Sequence, residues 1–341
     1  MTAEKMQGYL WGLPDQFAEI MRLRGELPPK YRRQYHNIIV TGLGGSAIGG
    51  DILRTYGLLK ANIPIMVNRD YDMPGYVNQD SLVLAVSYSG NTEETLSAYR
   101  QAVKQGAAVV AVTSGGKLAE MAEYDGCAVL KVPGGLSPRA ATGYLFAPLA
   151  LVLQDLALVA GATLDLEETV EILQTVREQI HPGVELPDNP ARVIARELKD
   201  SLPIIWGSSM HTEIAAMRWK AQINENSKAP AYFNIFPELN HNEIVGFDAP
   251  ADLLKRMVVV MLRDPEDHPR VQKRMQITRS IIENKVKKVI EIESQGQSFL
   301  AKFYSLAYIG DYASFYLALE YGINPTPVET IDYLKAELAK V

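Results

Sequence analysis

Between His36 and Gly161 the chain alternates short apolar runs with longer stretches of helical period. The runs Asn37–Thr41, Ile63–Asn68, Ser81–Ser87, Ala107–Thr113 and Cys127–Val132 are predicted strands, with predicted helices between them. A repeated strand, helix, strand order implies a parallel sheet covered by helices on both faces, with ligands at the carboxyl ends of the strands. The polar stretch from His181 to Pro190 carries three prolines and reads as a linker. Beyond it the pattern starts again. Leu202-Pro203-Ile204-Ile205-Trp206-Gly207-Ser208-Ser209 predicts a strand and a small turn, followed by a helix from Thr212 to Ile223 and a strand at Arg256–Leu262. Each half ends in a long apolar helix, Gly143–Ala160 and Phe299–Tyr321, which suggests a divergent internal duplication.

The expected fold class is therefore α/β, with two domains that are each a parallel sheet between helices, plus N-terminal and C-terminal helices. The expected boundaries are an N-terminal helical segment at 1–35, a first domain at 36–161, a helix and linker at 162–190, a second domain at 191–322 and a tail at 323–341. A length of 341 residues agrees with about two domains and allows a core that needs no staples. The single cysteine, Cys127, excludes an internal disulfide framework and a multi-cysteine zinc site, so a reducing cytoplasm is expected. The N-terminus shows no signal-peptide pattern. The longest apolar stretch, Tyr144 to Ala160, is interrupted by Gln154 and Asp155 and reads as a buried helix, so no membrane span is expected. The net charge of −6 comes from interspersed acids and bases, with no basic stripe to follow a nucleic acid. An anion would have to be bound locally, in a pocket.

Two strand-to-helix turns are the strongest candidates for such a pocket: Ile38-Ile39-Val40-Thr41-Gly42-Leu43-Gly44-Gly45-Ser46-Ala47 and Leu82-Val83-Leu84-Ala85-Val86-Ser87-Tyr88-Ser89-Gly90-Asn91-Thr92. Glycines allow close backbone approach, and the N–H groups of the following helix attract negative charge. The hydroxyls of Ser46, Ser87, Ser89 and Thr92 would add hydrogen bonds, which suggests a phosphorylated small molecule held without a metal. Gly42, Gly44 and Ala47 also fit a dinucleotide fingerprint, with Asp70 near the end of the next strand. A dinucleotide site has no need of a second hydroxyl-rich cradle. The plainer alternative for the second turn is an ordinary helix start capped by Asn91 or Thr92.

Four further residues stand out. Arg139 follows Ser137-Pro138, which reads as an N-cap with proline at the first helical position, and a cation there opposes the helix dipole unless an anion is near. The alternative is a solvated surface arginine. Glu225, in Asn224-Glu225-Asn226-Ser227-Lys228, falls where the helix from Thr212 ends, and a carboxylate facing that end of the dipole is suited to accept a proton; the alternative is a solvated Glu at a frayed end. His241 lies in Asn240-His241-Asn242-Glu243, among side chains able to fix its tautomer and without a second histidine at metal-ligand spacing. No metal is expected. Lys335 falls within a helical stripe of Ile331, Leu334 and Leu338, either snorkelling to solvent or directed into a cleft. His36, His181, His211 and His268 sit where structural or solvated roles suffice.

Taken together, Gly42-Leu43-Gly44-Gly45-Ser46, Ser87-Tyr88-Ser89-Gly90-Asn91-Thr92, Ser137-Pro138-Arg139, Asn224-Glu225-Asn226-Ser227-Lys228, Asn240-His241-Asn242 and the Pro325-to-Lys335 tail resemble the bifunctional phosphoglucose/phosphomannose isomerases of the sugar isomerase (SIS) domain superfamily. The resemblance covers nearly the whole chain and implies two SIS domains in a homodimer. It implies that Gly45, Ser46, Ser87, Ser89 and Thr92 hold the sugar phosphate and that Arg139 stabilises an enediolate. Glu225 would move the proton between C2 and C1. His241, from the neighbouring subunit, and Lys335 would serve ring opening. Aldose–ketose isomerisation needs such a carboxylate, acid and cation, and no cofactor. Two other classes stand against it: a non-catalytic SIS module that senses a sugar phosphate, and a nicotinamide-dependent oxidoreductase.

Overall fold

The computed structural model describes residues 3–338 and 340. It divides into two compact units, one made of Gly12–Gln174 and Gln295–Tyr304, the other of Met1–Trp11, Thr175–Ser294 and Ser305–Val341.

The first unit is built on strands β1 (Asn37–Thr41), β2 (Ile65–Asn68), β3 (Ser81–Val86), β4 (Ala108–Thr113) and β5 (Ala128–Lys131). They form a parallel sheet in the order β2-β1-β3-β4-β5. The central strand β3 is buried at every position, as its uninterrupted apolar run requires of a strand covered on both faces. β2 starts two residues later than the sequence suggests. Pro64 has no N–H to give the ladder and joins only through its carbonyl, which accepts from the Ile38 amide at 2.9 Å. Ile39, Val83, Ala85, Val109 and Ala111 on one sheet face pack with Leu96, Tyr99 and Leu118 of the helices Glu93–Lys104 and Gly116–Tyr124. The predicted helix at 143–160 spans Thr142–Asp155 and is buried from Thr142 through Leu153. It stops early because Asp155 pairs with Arg24 and Ala157 takes a left-handed conformation, φ 56°.

The second unit holds β6 (Leu202–Ser208), β7 (Tyr232–Phe236), β8 (Met257–Arg263) and β9 (Lys288–Glu293), parallel and in the order β7-β6-β8-β9. This repeats the order of the first four strands of the other sheet, the arrangement a duplication predicts. β7 and β9 have no counterpart among the expected strands. Both are edge strands that are partly solvated, so Tyr232 and Phe233 stay exposed in one and charged residues interrupt the other. The core around Trp206, Val259 and Met261 takes in Phe236, Phe247, Met275 and Ile282.

The long helix Phe299–Glu320 is less uniformly apolar than its sequence suggests. Its buried Asp311 pairs with Arg218 of helix Glu213–Gln222, with Nη2 to Oδ2 at 2.7 Å. The two helices also approach at Gly310, where a Cβ would stand 2.2 Å from Trp219 Nε1. That nitrogen donates to the Leu306 carbonyl at 2.8 Å, so only glycine leaves room for the indole. The last helix, Glu329–Leu338, buries none of its residues. Among the described residues no helix is long and apolar enough to cross a membrane.

Candidate active site

The two hydroxyl-rich turns lie at the carboxyl ends of β1 and β3, which are hydrogen-bonded neighbours. Their junction is direct, because the Tyr88 amide donates to Ser46 Oγ at 3.3 Å. Within the second turn Ser87 Oγ and Thr92 Oγ1 lie 2.9 Å apart, and the Asn91 amide donates to Ser89 Oγ at 3.3 Å. Thr92 occupies the N-cap of helix Glu93–Lys104 without a side-chain capping bond, so the plain capping alternative is not realised by this hydroxyl. Ser46 and Ser87 are buried, whereas Ser89 is exposed and Gly45 half-buried. Hydroxyls and the amides of two helix starts thus lie side by side at one sheet end, an arrangement able to hold an anion.

Arg139 joins this cradle from a distant part of the chain. The sequence suggests a proline-started α-helix; instead Pro138–Ala140 forms a short 3-10 turn and the α-helix begins at Thr142, so Arg139 lies ahead of the helix rather than in its first turn. The turn packs onto the first glycine loop so tightly that a Cβ on Gly45 would meet Pro138 O at 2.7 Å and the Arg139 amide at 3.1 Å. Gln16 holds the turn from behind, donating to Ala140 O at 2.8 Å and accepting from the Gly143 amide at 3.1 Å. Arg139 is only 5% exposed, which excludes the solvated surface arginine. Tyr88 is a residue that sequence reasoning missed. Its hydroxyl donates to Pro133 O at 2.9 Å and accepts from the Leu136 amide at 3.2 Å, tying the second turn to the loop that leads to Arg139. Its place inside the Ser-Tyr-Ser motif was visible, but not the loop its hydroxyl reaches.

The equivalent corner of the second sheet is built differently. At the ends of β6 and β8, Ser208 Oγ donates to Asp267 Oδ1 at 2.5 Å, and the Asp264 amide donates to Asp267 Oδ2 at 3.2 Å. Thr212 Oγ1 accepts from the Ser208 amide at 2.8 Å, and Ser294 donates to Asp264 at 3.1 Å. Burial pushes the Asp267 carboxyl up, against the Ser208 hydroxyl and the Asp264 amide, which favour its charged form. Here the protein's own carboxylates, Asp267 and Asp264, take the Ser208 and Ser294 hydroxyls.

Glu225 lies in the second unit, where the sequence places a helix end. Helix Glu213–Gln222 widens into a π-turn at Ile223–Ser227, and Lys228 closes it in a left-handed conformation, φ 55°. Turns of this type recur at functional sites. Asn226 and Ser227 are buried, while Glu225 is half-buried and lines a cleft of about 680 Å³ together with Asn224, Lys228, Asn324 and the start of the last helix, Glu329 to Ile331.

His241 and Lys335 do not line that cleft. His241 ends a 3-10 turn, Glu238–His241, and is exposed. The side chains expected to fix its tautomer bond elsewhere: Asn240 donates to Thr278 at 2.9 Å, Asn242 donates to Glu238 at 3.0 Å, and Glu243 accepts from Trp206 Nε1 at 2.9 Å. These bonds tie down the residues around His241, which is itself exposed. Lys335 is exposed, and its stripe is not seated on a core, with Ile331, Leu334 and Leu338 at 38%, 58% and 53% exposure. Of the other histidines, His268 caps helix Pro269–Ile282 by accepting from the Arg270 amide at 3.1 Å, and His181 makes an edge contact with Trp11. Among the described residues no cluster of three or more His, Cys, Asp or Glu side chains is arranged to hold a metal.

Residues 187–338 match the bacterial phospho-glucose isomerase C-terminal SIS domain, and residues 32–129 match the SIS domain. The chain is 48% identical over 333 residues to a bifunctional phosphoglucose/phosphomannose isomerase of Caldicellulosiruptor bescii, covering 97% of this chain and 98% of that one. A protein of the same description from Aquifex aeolicus is 38% identical over 307 residues, covering 90% and 91%. Among solved structures, the C-terminal domain of glucosamine-fructose-6-phosphate aminotransferase from Francisella tularensis superposes with a TM-score of 0.73 at 13% identity, covering 95% of this chain and 98% of that chain. That likeness concerns the fold alone.

Proposed function

The chain belongs to the bifunctional phosphoglucose/phosphomannose isomerases, and from that premise we propose that it interconverts glucose 6-phosphate and mannose 6-phosphate with fructose 6-phosphate through a cis-enediolate. Gly45, Ser46, Ser87, Ser89 and Thr92 hold the phosphate, by backbone N–H and hydroxyl donors. Arg139 stabilises the oxyanion that develops as C2 or C1 loses its proton. A buried guanidinium next to the cradle suits this, since a cation fixed in a poorly solvated place needs no reorganisation when charge appears. Glu225 carries the proton between C2 and C1. Because C2 becomes trigonal in the intermediate, reprotonation on either face gives the two epimeric aldoses from one ketose. His241 and Lys335 serve ring opening and closure, with His241 supplied by the partner subunit of a homodimer. Its exposure on a loop held by neighbouring hydrogen bonds supports that role. The functional division keeps the two sheets as separate SIS domains, at 36–161 and 191–322. A cytoplasmic enzyme agrees with the single cysteine.

The observation that carries this reading is the junction of both turns with buried Arg139 at one sheet end. A non-catalytic sensor would need the cradle but not a carboxylate on a π-turn lining a second cleft. The test mixes purified protein with glucose 6-phosphate or mannose 6-phosphate and measures fructose 6-phosphate, beside Glu225→Gln. The variant is expected to lose about 10²- to 10⁴-fold in kcat. Absence of turnover by the wild-type protein overturns the isomerase reading; full activity of the variant overturns only the choice of base.

A further inference from the structure

Resting on the reading of Glu225 as the base, we infer that Asn226, Ser227 and Ser314, anchored on the Arg218–Asp311 pair, are positioning residues that set where the Glu225 carboxylate stands. The anchor lies one turn earlier in the helix. Arg218 and Gln222, four residues apart on one face, both reach Asp311: Arg218 Nε to Oδ1 at 3.0 Å, Nη2 to Oδ2 at 2.7 Å, and Gln222 Nε2 to Oδ1 at 2.8 Å. All three side chains are buried. A buried, two-pronged arginine–carboxylate pair is geometrically specific, and it fixes helix Glu213–Gln222 against helix Phe299–Glu320 in both register and rotation.

The π-turn carries that register on to Glu225. Asn226 Nδ2 donates to Ser314 Oγ at 2.9 Å, Ser227 Oγ donates to Ser314 O at 2.7 Å, and Ser314 Oγ donates to Asp311 O at 2.7 Å. Residues 226 and 227 thus both face the same helix, while residue 225 is left lining the cleft. In an α-helix neighbouring residues point about 100° apart, and the wider turn is what lets two successive side chains share Ser314. Buried hydrogen bonds of this kind leave the backbone on the C-terminal side of Glu225 no slack, since breaking one strands a polar group away from water. A base that must reach two adjacent carbons tolerates little displacement, and a shift of about 1 Å is enough to cost on the order of 10²-fold in rate.

The test uses Asn226→Ala and Ser314→Ala in the full chain, with Glu225→Gln in parallel. Three quantities are read: kcat and KM for glucose 6-phosphate, loss of C2 deuterium to solvent, and the melting temperature. The expected result is a fall of about 10- to 100-fold in kcat and in C2 exchange, with KM within about twofold of wild type, because only transition-state positioning is lost. A purely structural role would move the melting temperature and leave the turnover of folded molecules alone. If Asn226→Ala does not fold, Ser314→Ala decides, since it breaks the same bond from the acceptor side and leaves the Ser227 bond to the Ser314 backbone carbonyl. A folded variant with kcat within about threefold of wild type, or a loss confined to KM, overturns the inference while an inactive Glu225→Gln leaves the base in place. An active Glu225→Gln overturns both.

Discussion

Gly45 lies directly beneath Pro138, so close that a Cβ on the glycine would come within 2.7 Å of the proline carbonyl oxygen. Backbone faces backbone there, and no flexible side chain can yield. Gly45→Ala must therefore push the Pro138–Ala140 turn, and Arg139 with it, away from the cradle. A loss of about 10- to 100-fold in kcat/KM for fructose 6-phosphate is expected, with an unchanged circular dichroism spectrum. Steady-state kinetics check it, and an unaffected kcat/KM would separate Arg139 from the reaction.

Tyr88→Phe removes the hydroxyl that bridges Pro133 and Leu136 but keeps the ring in place. Its cost falls on the loop leading to Arg139. We expect a rise in KM or a fall in kcat amounting together to about tenfold in kcat/KM, from the loss of about 1–3 kcal/mol of buried hydrogen bonding. The sheet itself should keep its stability, because the Tyr88 backbone bond to Ser114 at 3.0 Å is untouched. Urea unfolding measured next to the kinetics separates the two effects.

Glu168 gives a pH-dependent prediction. It accepts from the Gln297 amide at 2.6 Å and from the Ser298 amide at 2.9 Å, just ahead of helix Phe299–Glu320. Burial pushes its carboxyl up, but the Ser298 hydroxyl, these two amides and Lys302 outweigh that and hold it below the usual value of 4.5. A carboxyl lowered in the folded state stabilises fully above 4.5, and its contribution fades as the pH falls through the lowered value. Glu168→Gln should lose about 1 kcal/mol at neutral pH, modest because the site is partly solvated. The gap between the urea midpoints of wild type and variant should narrow as the pH drops below 4.5.

Alternating apolar runs and turn residues were enough to place the first sheet, because a strand buried on both faces must be apolar throughout, as β3 is. The same logic failed for β7 and β9, whose partly solvated edges allow polar and charged residues among the apolar ones. The candidate site was legible where chemistry and local geometry coincide in a few residues, in the two turns and in Asn224-Glu225-Asn226-Ser227-Lys228. It was not legible where a side chain acts on a partner far along the chain. Tyr88 with Leu136, and Asn226 with Ser314, are such cases, 48 and 88 residues apart. The stripe through Lys335 shows the opposite failure, since a period compatible with a buried face is present without a core to bury it.

Residue order alone therefore settled the class of the fold, its repetition and the hydroxyl-rich turns, since each depends on neighbours within a few positions. Folding in three dimensions settled that Arg139 is buried against Gly45, that Asp267 fills the second sheet's corner, and that Glu225 stands on a π-turn held by Asp311 and Ser314. Those are contacts between segments tens of residues apart, whose energy depends on exclusion of water and on sub-ångström fit, and neither quantity is written in local sequence.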